Sequence, residues 1–115
     1  MPYTKIEEKN YPVTKEKLTQ AVLGAIGGLE GEVMTNDPES GRIEAKFKKT
    51  ILGNVLGDRT KIEIDLASTT PEETKLTATI FPINPVGQKL KFGARKGISK
   101  TVLSWFFAHV EHRLK

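Results

Sequence analysis

The stretch RKGISKTVLSWFFAHVEHRL, from Arg95 to Leu114, decides how this 115-residue chain folds. At 100° per residue its apolar side chains cover more than half of a helix circumference, which predicts a helix with a wide apolar face. This predicted helix holds the largest apolar surface in the chain. We therefore expect it to lie across the dry face of a sheet, with its aromatic side chains dominating the core. The apolar face consists of Ile98, Val102, Leu103, Trp105, Phe106, Phe107, Val110 and Leu114.

A first helix is predicted from about residue 14 to residue 27, because apolar residues recur there at the 3,4 spacing of one helical face. Thr14 can cap its first turn, and Val13 and Leu18 stand at the spacing of a hydrophobic staple. Gly27-Gly28 permits a left-handed stop. The apolar residues of this face are Leu18, Ala21, Val22, Ala25, Ile26 and Leu29.

Strand patterns account for most of the remaining chain. Residues 3–11 alternate loosely and predict an opening edge strand that Pro12 ends. Four strands are expected after the first helix, at 32–36, 42–48, 60–66 and about 75–80, with Pro82 and Pro85 ending the last. Their clean alternation is typical of an antiparallel sheet with one wet face. The expected inward residues are Ile43, Ala45, Phe47, Ile62, Ile64, Leu66, Leu76, Ala78 and Ile80.

The element order is therefore β-α-β-β-β-β-α. It predicts one α+β domain over residues 1–115, in which an antiparallel sheet of four to five strands carries two helices on one face. In this order of elements the chain resembles the small domains with a TATA-binding-protein-like or helix-grip fold. The resemblance implies a curved antiparallel sheet that holds a long C-terminal helix.

Composition excludes several kinds of chemistry. The chain has no cysteine, which excludes disulfides, thiolate catalysis and cysteine zinc sites. Its opening residues lack the apolar stretch of a signal peptide, and no later segment approaches the ~18 apolar residues of a membrane span. We therefore expect a soluble, cytoplasmic protein.

Positive charge is concentrated in the C-terminal third. The formal net charge is +4, and no Asp or Glu occurs between Thr74 and Val110. Cations at the entry to the last helix oppose the helix dipole, and an anion would reverse that balance. The sequence thus offers an anion site, while a solvated basic surface is the alternative. The candidate anion-binding residues are Lys89, Lys91, Arg95, Lys96 and Lys100.

Two connections are unusually apolar. Residues 49–58 contain Ile51, Leu52, Val55 and Leu56, which could extend the core, continue a strand past a bulge, or form a flap over a ligand cavity. Residues 81–87 form a second apolar connection. If both meet at one end of the sheet, they could frame a hydrophobic mouth or a self-association patch, which leaves a homodimer open.

No set of residues indicates catalysis or a cofactor. His109 and His112 are three apart, but they point to different sides of the predicted helix and lack an evident third ligand, so we expect no metal site. The serines have no histidine at a matching spacing, and most carboxylates belong to polar faces or turns. We expect a protein that is not an enzyme.

Our leading hypothesis is a binding module for an amphipathic or anionic small molecule, or for a protein partner. The alternative is a nucleic-acid-associated protein that uses the basic C-terminal third. Lysines on the wet sheet face favour that alternative, whereas acidic residues on the same face and the lack of an exposed strand aromatic oppose it. The lysines are Lys46, Lys48, Lys61 and Lys75, and the acidic residues are Glu44, Glu63 and Asp65.

Overall fold

One layer of the protein is a five-stranded antiparallel sheet and the other is a pair of helices. The structure is a computed structural model that describes residues 3–95 and 97–115. The sheet order is β1-β7-β6-β3-β2, and β4 and β5 form a separate small hairpin. The predicted α+β class, with two helices on one face of the sheet, is confirmed. The elements are β1 (Lys5–Tyr11), α1 (Lys15–Gly28), β2 (Glu32–Asp37), β3 (Arg42–Phe47), β4 (Thr50–Ile51), β5 (Asn54–Val55), β6 (Arg59–Thr70), β7 (Glu73–Ile83) and α2 (Ile98–Arg113).

The predicted alternation of the central strands is confirmed. Cross-strand partners share a face of an antiparallel sheet, and Ala45 pairs with Ile62 while Ile64 pairs with Ala78. All the residues expected to point inward are buried. Their period of two fixes the register, because a slip of one residue would turn every apolar side chain to water.

The last long strand does not end at its first proline as predicted. β7 continues through Pro82 to Ile83, with Pro82 opposite Thr60. The carbonyl of Pro82 accepts a hydrogen bond from the Leu90 amide at 3.0 Å. A proline is tolerated at this end of the strand because it removes only a donor, and its acceptor is still satisfied.

The first helix begins as expected and ends differently. Thr14 Oγ1 accepts a hydrogen bond from the Lys17 amide at 3.1 Å. At the other end, Gly28 is still helical and the left-handed residue is Glu30, with φ 62°. The predicted glycine stop at Gly27-Gly28 is therefore wrong.

Two glycines of the first helix, Gly24 and Gly28, have a packing role instead. A Cβ on Gly28 would lie 3.0 Å from His109 Nδ1, and one on Gly24 would overlap the Arg113 side chain. Bare backbone on α1 thus lets side chains from the end of α2 lie directly against it. Gly24 precedes Gly28 in α1, whereas its neighbour Arg113 follows His109 in α2. The two helices are therefore antiparallel.

The second helix supplies the centre of the core, as predicted. Phe106 is fully buried and its ring meets that of Phe107 edge-on, with 5.4 Å between the centroids. Trp105 is only partly buried and packs at the margin of the core. The space between sheet and helices is filled by large side chains that are less than 2% exposed, among them Phe47, Ile26 and Ile51.

The apolar connection at 49–58 is a tight hairpin. Leu52 and Gly53 at its tip both have positive φ, 50° and 82°, as a type I′ turn requires. Ile51 is buried and Leu56 packs partly against the core, whereas Leu52 and Val55 are exposed. Half of the apolar set therefore extends the core, and the interior that a flap would cover is occupied by side chains.

Neither helix in the described parts of the chain has the length and apolar character that crossing a membrane requires.

The burial of the neighbouring aromatic residues predicts unequal effects of truncation. Phe106→Ala should lower the free energy of unfolding by about 3 to 5 kcal/mol, because it leaves a cavity in a filled core. Trp105→Ala should cost about 1 to 3 kcal/mol, because part of that ring is already in water. Guanidinium denaturation followed by circular dichroism measures both changes. Equal losses would place Trp105 in the core beside Phe106.

Candidate functional site

The edge strand β1 presents charged side chains on the helix side of the sheet. Lys5 pairs with Ile80, Glu7 with Ala78 and Lys9 with Leu76, and each partner in β7 is a buried core residue. Directly opposed residues lie on the same face, so the charges of β1 point toward the helices. Apolar residues would normally occupy these positions. The space between β1 and α2 is therefore open to solvent.

The space between β1 and α2 is an open groove of about 560 Å³. Leu103 and Phe107 form its apolar floor; as residues they are only 5% and 4% exposed. Ser104 and Ala108 continue the lining along α2, and the inward charges of β1 form the opposite wall. We call this space the β1–α2 groove.

A second depression of about 280 Å³ lies where α2 begins. It shares Lys5 and Lys100 with the β1–α2 groove. The distance along α2 from this depression to Glu111 is about 20 Å at 1.5 Å per residue. We call it the helix-start depression. Its lining also includes Tyr3, Ala94, Arg95, Gly97, Ile98 and Ser99.

The far end of the groove is closed by a hydrogen-bonded cluster. Glu111 Oε2 accepts hydrogen bonds from Tyr11 OH at 2.7 Å and from Lys9 Nζ at 3.1 Å. The same ammonium lies 4.5 Å from the centroid of the Phe107 ring. Burial, followed by the hydrogen bond to Glu111, raises the pKa of Tyr11 well above its ordinary value. The hydrogen bonds from Tyr11 and Lys9 lower the pKa of Glu111.

The helix-start depression is basic, in contrast to the paired charges around Glu111. Gly97, with φ 81°, caps α2 without a side-chain hydrogen bond, and the first turn contains no acidic residue. Within the described parts of the chain, no ion pair is formed by Lys5, Arg95 or Lys100. Positive charge thus gathers at the positive end of the helix dipole without internal compensation.

Ser99 lies in the first turn of α2, is one of the residues that line this depression, and carries an unsatisfied hydroxyl. The residue is 3% exposed, and its Oγ has no hydrogen-bond partner among the described residues. A buried hydroxyl without a partner is energetically unfavourable, so such groups are normally paired with protein or bound molecules.

The predicted basic residues are not all brought together. Arg95 and Lys100 line the helix-start depression, and Lys5 of β1 joins them. Lys89 lies elsewhere, with its Nζ 4.6 Å from the Phe81 ring centroid, and Lys91 is exposed outside both spaces. The candidate Lys96 lies outside the described residues.

Sequence reasoning missed Lys5 and Ser99. The face to which Lys5 points becomes apparent only from the pairing of β1 with β7. Ser99 interrupts the predicted apolar face beside Ile98, and a polar residue at a buried helix position is the signal that could have found it.

The two apolar connections line different pockets. Leu52 lines a shallow pocket of about 260 Å³ with Trp105 and His109, while Ile83 and Pro85 line another of about 200 Å³ beside Phe47. The two pockets share no described residue, and a shared mouth stays a prediction.

Most lysines of the outer sheet face are paired with carboxylates. Lys61 Nζ lies 3.1 Å from Glu44 and 3.5 Å from Glu63. Lys46 is 3.8 Å from Glu32, and Lys75 is 3.8 Å from Glu8. Only Lys48 of the predicted group, just past the end of β3, is without an ion pair among the described residues. This face is therefore close to neutral.

Comparison with known proteins shows the fold. No known family's sequence profile matches the chain, and no curated protein has a matching sequence. The crystal structure of Ara h 8.0201 is similar with a TM-score of 0.65 at 12% identity, covering 97% of each chain. An uncharacterised protein from Bacillus thuringiensis is similar with a TM-score of 0.54 at 6% identity, covering 96% of this chain and 95% of that one. The chain thus has a helix-grip-like α+β fold, as the resemblance implied.

The cluster around Glu111 predicts a pH-dependent loss of stability. A carboxyl whose pKa is lowered by folding stabilises the protein above its unfolded pKa, and this contribution disappears as pH falls through the folded pKa. Tyr11→Phe removes the main cause of the shift. It should cost about 1 kcal/mol at pH 7, since Glu111 is half-exposed, and less at pH 3.

Urea denaturation at the two pH values measures this difference, with Tyr3→Phe as the matched control. An equal loss at pH 7 and pH 3 would contradict the role assigned to the charged form of Glu111.

Proposed function

We propose that this protein is a binding module that takes a small amphipathic molecule in the β1–α2 groove and does not act as an enzyme. One observation carries the proposal. The edge strand turns Lys5, Glu7 and Lys9 toward the helices, where local sequence rules call for apolar residues. Departures from those rules are expected at functional sites, where another requirement outweighs stability.

The chemistry of the groove suits an amphiphile. Its floor is apolar at Leu103 and Phe107, and its walls are charged. A ligand with an apolar chain could cover the floor while its polar end stays in contact with the wall and water. The filled space between sheet and helices supports a site on the surface instead of one in the interior.

The ionisable groups of the groove support binding in preference to catalysis. General acids and bases work best with a pKa near the operating pH. The pKa of Tyr11 is raised and the pKa of Glu111 is lowered, so both pKa values lie further from neutral pH than their ordinary values. Burial and the hydrogen bond to Glu111 favour the protonated form of Tyr11, and the hydrogen bonds from Tyr11 and Lys9 favour the ionised form of Glu111, which suits a structural pair.

A protein partner and nucleic acid are the alternatives from other classes. A protein could bind the same edge strand, and a second copy could do so in a homodimer. Nucleic acid has less support, because Lys46, Lys61 and Lys75 already have carboxylate partners. Binding driven by phosphates would weaken steeply with salt, whereas binding in an apolar groove would not.

A titration with 1-octanol tests the proposal, because this neutral amphiphile isolates the apolar part of the site. Amide shifts should move at Leu103, Phe107 and Ala108 and stay fixed at Ile62 and other core residues. Ser104→Gln should weaken binding about tenfold, since the longer side chain occupies the groove. His112→Gln, at an exposed position of α2 outside the groove, is the matched control.

Unchanged shifts at saturating octanol would overturn the proposal. Movement confined to the hairpin around Leu52 would also overturn it, because the ligand would then occupy the pocket beside Trp105.

A further inference from the structure

We infer that the helix-start depression binds the oxyanion head group of an amphipathic ligand, a carboxylate or a phosphate, whose apolar chain lies in the β1–α2 groove. This inference deepens the proposed function and rests on it for the position of the chain. It assigns a chemical class to the ligand: an apolar chain with a terminal oxyanion.

Charge is the first argument. The lining contributes cations from three separate segments: Lys5 from β1, Arg95 from the connecting loop and Lys100 from α2. None of the described residues that line this depression is acidic. Asp58 accepts a hydrogen bond from the Arg95 backbone amide at 2.7 Å and forms no ion pair with the three side chains. The three side-chain charges have no internal counterion among the described residues.

The hydroxyl of Ser99 is the second and independent argument. It is buried and has no hydrogen-bond partner among the described residues, and Ser99 is one of the residues that line the depression. A hydroxyl can donate one hydrogen bond, and an oxyanion accepts hydrogen bonds more strongly than a neutral oxygen. An oxyanion in the depression would accept a hydrogen bond from this hydroxyl. Its negative charge would also offset the unfavourable interaction of the cations with the positive end of the helix dipole.

Continuity between the two spaces is the third argument. Lys5 and Lys100 line both, so a head group beside Ser99 lies directly next to the groove. The apolar floor at Leu103 and Phe107 begins one turn further along α2. The opposite end is occupied by Glu111, which favours a single orientation of an anionic amphiphile.

Four probes separate the head group from the chain: octanoate, octyl phosphate, 1-octanol and inorganic phosphate. Calorimetry should show both anionic amphiphiles binding at least about tenfold more tightly than octanol, as expected for charge-assisted hydrogen bonds. Inorganic phosphate alone should move the amide signals of Ser99 and Lys100. A preference between octanoate and octyl phosphate identifies the head group.

Two variants locate the site. Ser99→Ala should weaken octanoate binding about three- to tenfold and leave octanol binding unchanged, because it removes one donor to the oxyanion. It should not lower the melting temperature, because an unpaired buried hydroxyl is replaced by a methyl group. Lys100→Gln should weaken octanoate binding by a similar factor, while Lys17→Gln makes the same charge change on an exposed part of α1 and should have no effect.

The outcomes distinguish this inference from the proposed function. Equal affinities for octanol and octanoate, with no effect of Ser99→Ala, would overturn the head-group assignment and leave the groove as a site for neutral amphiphiles. Phosphate binding at Ser99 without any octanol response at Phe107 would support the oxyanion site and overturn the proposed function. Octanoate binding that Ser99→Ala and Lys17→Gln weaken equally would overturn the assignment, since the effect would then be general.

Discussion

The packing of the apolar face of α2 on the inner face of the sheet is the contact on which the rest of the structure depends. A sheet with one dry face must be covered, and α1, which buries mainly alanines and aliphatic side chains, covers only part of it. Phe106 and Phe107 provide the remaining volume. Because α2 lies on the sheet, its first turn and its floor residues are positioned beside the edge strand, where the candidate site forms.

Periodicity predicted those parts of the fold in which burial dominates. Alternation in β3, β6 and β7 and the helical spacing in α1 follow from the need to place apolar groups on one face, which a local pattern reveals. The end of α1 was missed, because Glu30 adopts the left-handed conformation that a glycine was expected to supply. Gly24 and Gly28 instead lie where side chains of α2 pack directly against α1. A contact between two helices cannot be recognised from the local sequence of one of them.

The candidate site was harder to predict because it depends on pairing. The basic entry to α2 was visible in the sequence, and Arg95 and Lys100 lie there. Lys5 could not be assigned to the site from the sequence, because its charged strand looks solvent-facing. Only the register of β1 against β7 shows that Lys5 points toward the helices. The apolar composition of the hairpin suggested a ligand site. In the structure Ile51 is part of the core and Leu52 lies at a tight turn.

The pairing of β1 with β7 also bears on how the protein acquires its site. Lys5 pairs with Ile80, and the hydrogen bond between Tyr11 and Glu111 joins residues 100 positions apart in the chain. Contacts of such large sequence separation close long loops, which makes them slow to form. The central hairpin of β6 and β7 is local by comparison. The groove beside the edge strand therefore requires residues from both ends of the chain, and a partly folded chain in which β1 is not paired with β7 lacks the proposed binding site.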